Sequence, residues 1–250
     1  MNKQPVSYLQ TDKRWKEKPY RVKGETATIG GSGCGPTCAA MVISTLTGKT
    51  VTPVDTCTWS VQHGYKALNQ GTYYSYFRPQ LAAYSIECKQ LLGSRILNQP
   101  QHPIHDQVKQ YLEDGYYVIA LMGPGTWTKG GHFVLLWGWD DKVRINDPAS
   151  TKAARLNGDP DTFRREARCY WLVDARSYNK KEEIDLTEDQ VRAIVRDEYA
   201  KIEAGRAKQP ASPWAAVLLE EAKAKGITDG SRPQSYATRQ EVALMVNAVK

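Results

Sequence analysis

The 250-residue chain lacks long hydrophobic runs, and no apolar stretch approaches the roughly 18 residues that a membrane-spanning helix needs. Its first twenty residues, MNKQPVSYLQTDKRWKEKPY, also lack the apolar core of a secretory signal. These absences predict no membrane insertion, and synthesis in a cytoplasm without use of the standard secretory route. Hydrophobic residues make up 41% of the chain and charged residues 24%, which is typical of a packed domain rather than of disorder.

Cysteine is scarce and scattered, with five residues and no CxxC pair. An odd count without regular spacing argues against a disulfide scaffold and favours reduced thiols. Cys34 and Cys38 would share a helix face, but no second pair at ligand spacing supports a zinc site. The sequence therefore predicts no metal and no other cofactor.

Positive charge is unevenly distributed. The net charge is +7, and residues 1–180 carry 23 Lys/Arg against 15 Asp/Glu, whereas residues 181–250 carry 11 against 12. A basic surface attracts polyanions at long range, and both nucleic acid and an anionic cell wall fit that description. Because neither a nucleic-acid-binding motif nor a long Lys/Arg run is present, a nucleic-acid partner is not predicted.

Hydrophobic periodicity predicts helices first and strands afterwards. The predicted helices are 35–47, 52–63, 79–92 and 104–114, and the predicted strands are 116–122, 131–140, 142–147 and 169–174. This order indicates an α+β fold with a mostly antiparallel sheet. The expected domain organisation is a catalytic domain over 1–178, a linker with an amphipathic helix over 179–211, and a helical unit over 212–250.

The stretch GSGCGPTCAAMV places Cys34 between two glycines where a helix is about to begin. The N-terminus of a helix lowers a thiol pKa through its dipole and free N–H groups, and the thiolate is the reactive form. Gly33 and Gly35 would leave room for a substrate backbone. The backbone N–H of Cys34 is also suited to face a developing oxyanion. The alternative is a buried structural cysteine, the commonest fate of a free thiol.

A histidine base is expected on the strand that opens at 131. His132 follows Gly130 and Gly131 and begins the apolar run GHFVLLWGWD, from where it can reach a helix N-terminus packed on the sheet. A reversal after this strand would return Asp147 to the His132 end, where its carboxylate could orient the imidazole. Asn146 is the alternative orienting residue, and Asp147 could instead serve only to start the turn before Pro148.

These stretches, SYLQTDKRW, GSGCGPTCAAMV and GHFVLLWGWDDKVRINDP, resemble the papain-like cysteine peptidases of the double-glycine, bacteriocin-processing type. The resemblance covers roughly residues 5–175 and implies a papain-like fold with a Cys–His–Asp triad. By matching position it assigns Cys34 as nucleophile, His132 as base and Asp147 as orienting residue. It also assigns Gln10 to the oxyanion hole, provided that the segment 11–33 folds back towards Cys34.

The last 39 residues resemble a single surface-layer-homology-like unit, of the kind found in phage endolysins and wall hydrolases of Gram-positive hosts. The resemblance rests on Trp214, on the GITDG stretch at 226–230 and on Thr238-Arg239. It implies either cell-wall binding or self-association into a homo-oligomer. Trp214 and Leu244 are interpreted as core residues of the helical pair rather than as ligand contacts.

Together, these resemblances imply a peptidoglycan hydrolase, a phage or prophage endolysin that acts on the Gram-positive wall after release from the host cytoplasm. Gly33, Gly131 and Trp127 are expected to contact the substrate, the last two from the loop 123–131. Whether the enzyme is an amidase or an endopeptidase stays open. The alternative functions are a cysteine peptidase acting on proteins or leader peptides, and a non-catalytic wall-binding protein.

Overall fold

The computed structural model describes residues 2–92, 96–179, 187–237 and 239–248. The chain divides into two compact units, Met1–Lys181 and Glu182–Lys250. Among the described residues, no helix is both long enough and apolar enough to cross a membrane.

A six-stranded antiparallel sheet forms the centre of the first unit. In chain order the strands are β1 (Cys88–Leu92), β2 (Tyr117–Met122), β3 (His132–Trp139), β4 (Val143–Asn146), β5 (Asn157–Gly158) and β6 (Ala167–Val173). Their spatial order is β1-β6-β2-β3-β4-β5, and every neighbouring pair is antiparallel. The α+β prediction with an antiparallel sheet is confirmed.

Helices cover both faces of this sheet. They are α1 (Ile29–Ser32), α2 (Cys34–Thr47), α3 (Pro53–Gln62), α4 (Phe77–Ala82), α5 (Ile104–Glu113), α6 (Ala153–Leu156), α7 (Pro160–Glu166) and α8 (Arg176–Asn179), with a 3-10 turn at Tyr74–Tyr76. Gly48 ends α2 in the left-handed conformation, at φ 68°. Thr52 and Asp55 form a capping box at the start of α3, where Pro53 occupies the first turn.

Alternation along β3 separates two apolar cores. Phe133 and Leu135 pack with α2 and α4 on one face. Val134 and Leu136 pack with α5 and α7 on the other face. Helix α2 is buried along nearly its whole length, and this fixes its N-terminus, and hence Cys34, above the first residues of β3.

The predicted helix over 79–92 is wrong. Helix α4 ends at Ala82, Ser85 turns the chain with φ 59°, and Cys88–Leu92 forms an edge strand paired with β6. Ile86 and Cys88 are buried whereas Glu87 and Lys89 are exposed. This period of two is the strand signal, and the helical prediction extended past it.

The second unit contains α9 (Glu188–Ala207), α10 (Ala216–Ala224) and α11 (Arg239–Ala248). The amphipathic helix predicted at 187–205 corresponds to α9, which begins with a capping box formed by Thr187 and Gln190. The core assignment of Trp214 and Leu244 is wrong, since these residues are 81% and 69% exposed. The unit spans only Glu182–Lys250, and so small a unit buries a smaller share of its side chains than a larger domain does. Thr238, which the resemblance used, lies outside the described residues.

Candidate active site

Cys34 is the first residue of α2 and lies at a kinked junction with α1, separated from it by Gly33 alone. The side chain is buried, with 9% exposure, and borders an open cleft. The glycines around it have a different role from the one expected. A Cβ at Gly33 would lie 2.6 Å from the Ile29 carbonyl oxygen, and one at Gly35 would lie 3.1 Å from Thr72 Oγ1. Both glycines therefore permit close packing within the protein, and Gly33 does not line the cleft.

His132 begins β3, opposite Met122 of β2. Its Nε2 donates to Asp147 Oδ1 at 2.7 Å, which leaves Nδ1 available to the Cys34 thiol, whose pKa the imidazole lowers. Since Leu135 pairs with Asn146, extending the register places Asp147 one residue past β4 and diagonal to His132. Cys34, His132 and Asp147 thus lie in a line, brought together from α2, β3 and the end of β4.

Asp147 is held in place by its surroundings. Its side chain is fully buried, and Oδ1 also accepts a hydrogen bond from the Ala149 N–H at 2.8 Å. Asn146 points elsewhere, since its Nδ2 donates to the carbonyl oxygens of Pro5 and Val6. Of the two orienting residues left open by the sequence, the structure brings Asp147 to the histidine.

Electrostatics distinguish Cys34 from the other four cysteines, all of which are free, buried and within the described residues. Burial disfavours the Cys34 thiolate, but the hydrogen bond from His132 and the ring's positive charge outweigh it and lower the thiol pKa below its usual 9.0. Burial raises the pKa of Cys38 and Cys57 well above that value, and that of Cys88 and Cys169 to about 12. Cys34 is therefore the thiol prepared for reaction.

His132 undergoes the reciprocal shift. Burial disfavours its charged form, but hydrogen bonds to Asp147 and Cys34 raise its pKa to about 9. A lowered thiol pKa beside a raised imidazole pKa means that the pair favours the ionised form of both groups. The site therefore favours a thiolate–imidazolium pair.

Gln10 lines the same cleft as Cys34 and is buried. The segment 11–33 folds back as the resemblance required, because the Gln10 backbone N–H binds the Pro148 carbonyl at 2.7 Å and Nε2 binds the Gly30 carbonyl at 2.8 Å. Gly30 fixes the orientation of the amide, because a flipped amide would put two oxygens in contact. Within the described part of the chain, Gln10 Oε1 has no hydrogen-bond partner.

The cleft has a volume of about 660 Å³, and both Cys34 and His132 line it. Gly131 and Trp127, two of the residues expected to contact substrate, both line it. The Trp127 ring is nevertheless 3% exposed and packs edge-on against Phe163, so most of it belongs to the core. A larger cleft of about 740 Å³ lies near Tyr74 and Trp171. Its described lining residues include Cys88 but no histidine.

Two buried charge pairs near the cleft were missed from the sequence. Arg155 lies on α6 with its Nε 2.6 Å from Asp147 Oδ2. Lys66 and Glu25 form a fully enclosed pair at 2.7 Å that ties the segment at 25 to the segment at 66–70, and both segments border the cleft. Neither pair has a sequence signal, because each contact depends on how the connecting segments fold. No cluster of three or more metal-ligating side chains occurs in the described ranges.

Replacing Asp147 by Asn is expected to slow alkylation of Cys34 by iodoacetamide at pH 7 by about tenfold. The amide can still accept from His132, but it carries no charge to stabilise the imidazolium, and a change of about one pKa unit corresponds to a tenfold change in thiolate. The measurement is the alkylation rate, with Asn146→Ala as the matched control. Equal slowing in both variants would contradict the assignment of Asp147.

The sequence profile of the Peptidase_C39 like family matches residues 8–177. Two solved structures are similar to this chain at low identity. The peptidase domain of Streptococcus ComA, a bifunctional ABC transporter of a quorum-sensing pathway, is 15% identical, with 56% of this chain and 88% of that chain covered and a TM-score of 0.40. A double glycine motif protease from an AMS/PCAT transporter, in complex with the leader peptide, is 16% identical, with coverages of 68% and 91% and a TM-score of 0.43. A comparison with curated proteins gives no significant match.

Proposed function

The chain belongs to the Peptidase_C39 like family, and from this premise we propose that it is a cysteine-dependent amide hydrolase whose substrate is the peptidoglycan of Gram-positive walls. The observation that carries the hydrolase proposal is the buried line of Cys34, His132 and Asp147 at the edge of an open cleft. Peptidoglycan as substrate would make this an enzyme of the endolysin type.

Catalysis would begin with attack of the Cys34 thiolate on an amide carbonyl carbon, which forms a C–S bond and moves an electron pair onto the carbonyl oxygen. Cys34 is the first residue of α2, so its backbone N–H lies at the positive end of the helix dipole. That N–H would stabilise the oxyanion, with the Gln10 amide beside it. The His132 imidazolium then gives its proton to the leaving nitrogen, and the C–N bond breaks.

The second half of the reaction would hydrolyse the thioester. His132, now neutral, takes a proton from water, and the resulting hydroxide attacks the acyl carbon and expels the Cys34 thiolate. Asp147 would keep the ring in one orientation through both halves of the reaction, because its Oδ1 holds Nε2 while Nδ1 gives and takes the proton. The cycle restores the thiolate–imidazolium pair without any external reductant or cofactor.

A basic hairpin beside the cleft supports an anionic substrate. Tyr20 N–H binds the Ala27 carbonyl, and Pro19 and Thr28 form a bridge, so residues 18–28 run out and back as two arms. Residues 25–27 of the returning arm line the cleft. The outgoing arm exposes Lys18, Arg21 and Lys23, and in the described part of the chain none of these three forms an ion pair. Their charge therefore faces solvent on the hairpin whose other arm lines the cleft, and a wall rich in phosphate and carboxylate would be attracted to it.

Neutralising Arg21 and Lys23 to Gln is expected to slow clearing of intact walls by several-fold at low salt, and the difference should shrink as ionic strength rises. The matched control is Lys49→Gln with Lys89→Gln, which removes the same charge from other exposed positions. Clearing is followed by turbidity. Equal slowing by both double variants would show that net charge, rather than the hairpin, determines the rate.

The pH profile of hydrolysis is expected to be bell-shaped. On the acid side, activity should appear below the ordinary thiol range, because the Cys34 pKa is lowered. On the alkaline side, activity should fall around pH 9, since His132 then loses the proton that the leaving nitrogen needs. A profile that keeps rising through pH 10 would contradict a role for His132 as general acid.

A second candidate, a cysteine peptidase acting on proteins or leader peptides, is favoured by the family itself. Both candidates use the same thiol chemistry and differ only in the chain that enters the cleft.

The experiment that separates the candidates incubates the purified protein with Gram-positive peptidoglycan and, in parallel, with a peptide containing a double-glycine site. Mass spectrometry identifies the new ends. Wall fragments with new peptide or sugar-stem ends support the wall hydrolase and distinguish an endopeptidase from an amidase. Cleavage of the peptide alone, with walls from several species intact, would overturn the wall substrate in favour of the peptidase.

For the second unit we propose cell-wall binding, supported by its resemblance to a surface-layer-homology-like unit and by the exposure of Trp214. A protein with Cys34→Ala leaves the wall intact, so its co-sedimentation with purified walls measures binding alone. Trp214→Ala in that background is expected to reduce sedimentation. If the Cys34→Ala protein is a dimer in light scattering, a Trp214→Ala variant that is monomeric but sediments unchanged would favour self-association instead.

A further inference from the structure

We propose that Arg155 is a positioning residue that sets the charge balance of the Cys34–His132 pair by acting through Asp147. The inference rests on the proposed thiol chemistry but not on which substrate is cut. Arg155 is contributed by α6, eight residues after Asp147 in the chain, and its side chain is 20% exposed.

The two carboxylate oxygens of Asp147 are used separately. Oδ1 accepts from His132 Nε2 at 2.7 Å, while Oδ2 lies 2.6 Å from Arg155 Nε. No described residue gives Asp147 Oδ2 or Arg155 Nε a well-directed hydrogen bond. Their coupling is therefore electrostatic, with a positive charge held against the face of the carboxylate that the histidine does not use.

The guanidinium is itself anchored to the cleft wall. Arg155 Nη2 donates to the Trp127 carbonyl at 2.8 Å, and Trp127 Nε1 donates back to the Arg155 carbonyl at 3.0 Å. Trp127 belongs to the loop that leads into His132 and lines the cleft. One side chain thus connects the carboxylate of the triad with the wall that would contact substrate.

The ionisable groups around Asp147 come from several elements. His132 faces it from β3, Arg155 from α6, and Cys34 and Cys38 from α2, where the carboxylate contributes to the raised pKa of Cys38. Glu25 and Lys66 at the cleft wall neutralise each other. Removing Arg155 would therefore leave Asp147 without its balancing positive charge, which disfavours the thiolate and favours the imidazolium.

The test is the rate of Cys34 alkylation by iodoacetamide between about pH 5 and about pH 10, the range over which an imidazole and a thiol titrate. The plot of alkylation rate against pH should show one inflection for Cys34 and one for His132. In Arg155→Gln both inflections are expected to move to higher pH, by on the order of one unit at an effective dielectric constant near 20. Arg155→Lys keeps the charge but not the fork, so its inflections should stay while wall or peptide hydrolysis weakens. Trp127→Phe removes the indole N–H and should leave the inflections in place.

The proposal would be overturned if the inflections stay fixed in Arg155→Gln while the thermal unfolding of this variant matches the wild type. Arg155 would then only anchor the loop that contains Trp127. Identical shifts in Arg155→Lys and Arg155→Gln would also overturn it, because lost geometry rather than lost charge would then be the cause. Alkylation needs no substrate. A failed wall assay therefore contradicts the proposed substrate but leaves this inference intact. Fixed inflections contradict this inference but leave the proposed substrate intact.

Discussion

Replacing Cys34 by Ala is expected to abolish hydrolysis, with a loss on the order of 10⁶-fold, because no covalent intermediate can form without the nucleophile. The measurement is release of soluble fragments from walls, or of cleaved peptide if that is the substrate. The fold should be retained, since alanine fits the first turn of α2 and replaces a small side chain that borders the cleft.

Cys38→Ala is the matched control. Cys38 lies one turn further along α2, is fully buried, and has a pKa raised well above the ordinary value. Its removal costs packing, so a lower thermal stability is expected together with activity within a few-fold of the wild type. Residual hydrolysis in Cys34→Ala above about one thousandth of the wild-type rate would mean that another group attacks the substrate.

Replacing His132 by Ala is expected to cost nearly as much, because nucleophile and base act as one unit. Without the imidazolium, the Cys34 thiol loses its hydrogen bond and its neighbouring positive charge while burial still disfavours the thiolate. Its pKa should then rise. Both hydrolysis and alkylation at pH 7 should therefore collapse in the same variant, and hydrolysis is the larger loss because the proton donor is gone as well.

His63→Ala provides the comparison for this variant. His63 caps α3, is exposed and stacks on Trp59, away from the cleft lining. Its substitution should leave both rates near the wild type. Full alkylation of Cys34 at pH 7 in His132→Ala would show that the helix terminus alone activates the thiol, contrary to the geometry described above.

The sequence was informative wherever a local signal matched a local structure. Gly33-Cys34 before an apolar run predicted the start of α2, and Gly48 its end, because helix termini depend on neighbouring residues. The pairing of β3 with β4 followed from a short reversal at Asp140-Asp141, and it brought Asp147 back to His132. Only the choice between Asp147 and Asn146 needed coordinates, since adjacent residues point to opposite sides.

Contacts between distant segments were beyond the sequence. The Arg155–Asp147 and Lys66–Glu25 pairs depend on how loops close, and no spacing rule encodes that. The glycines beside Cys34 were interpreted as space for substrate, although their neighbours are Ile29, Thr72 and Phe133 of the protein itself. A glycine shows that something approaches closely but not what approaches. The edge strand β1 was missed because only the short turn at 83–87 separates it from α4.

The most direct test of the central claim, a Cys34 thiolate held by the His132 imidazolium, is site-resolved alkylation. The native protein is treated with one equivalent of iodoacetamide at about pH 6, where an ordinary thiol is almost fully protonated, and the five cysteines are then quantified by peptide mass spectrometry. The account predicts label at Cys34 and none at Cys38, Cys57, Cys88 or Cys169, with the label lost in His132→Ala. Label spread over several cysteines would contradict it. So would a Cys34 that is alkylated only when the pH exceeds the ordinary pKa of a thiol.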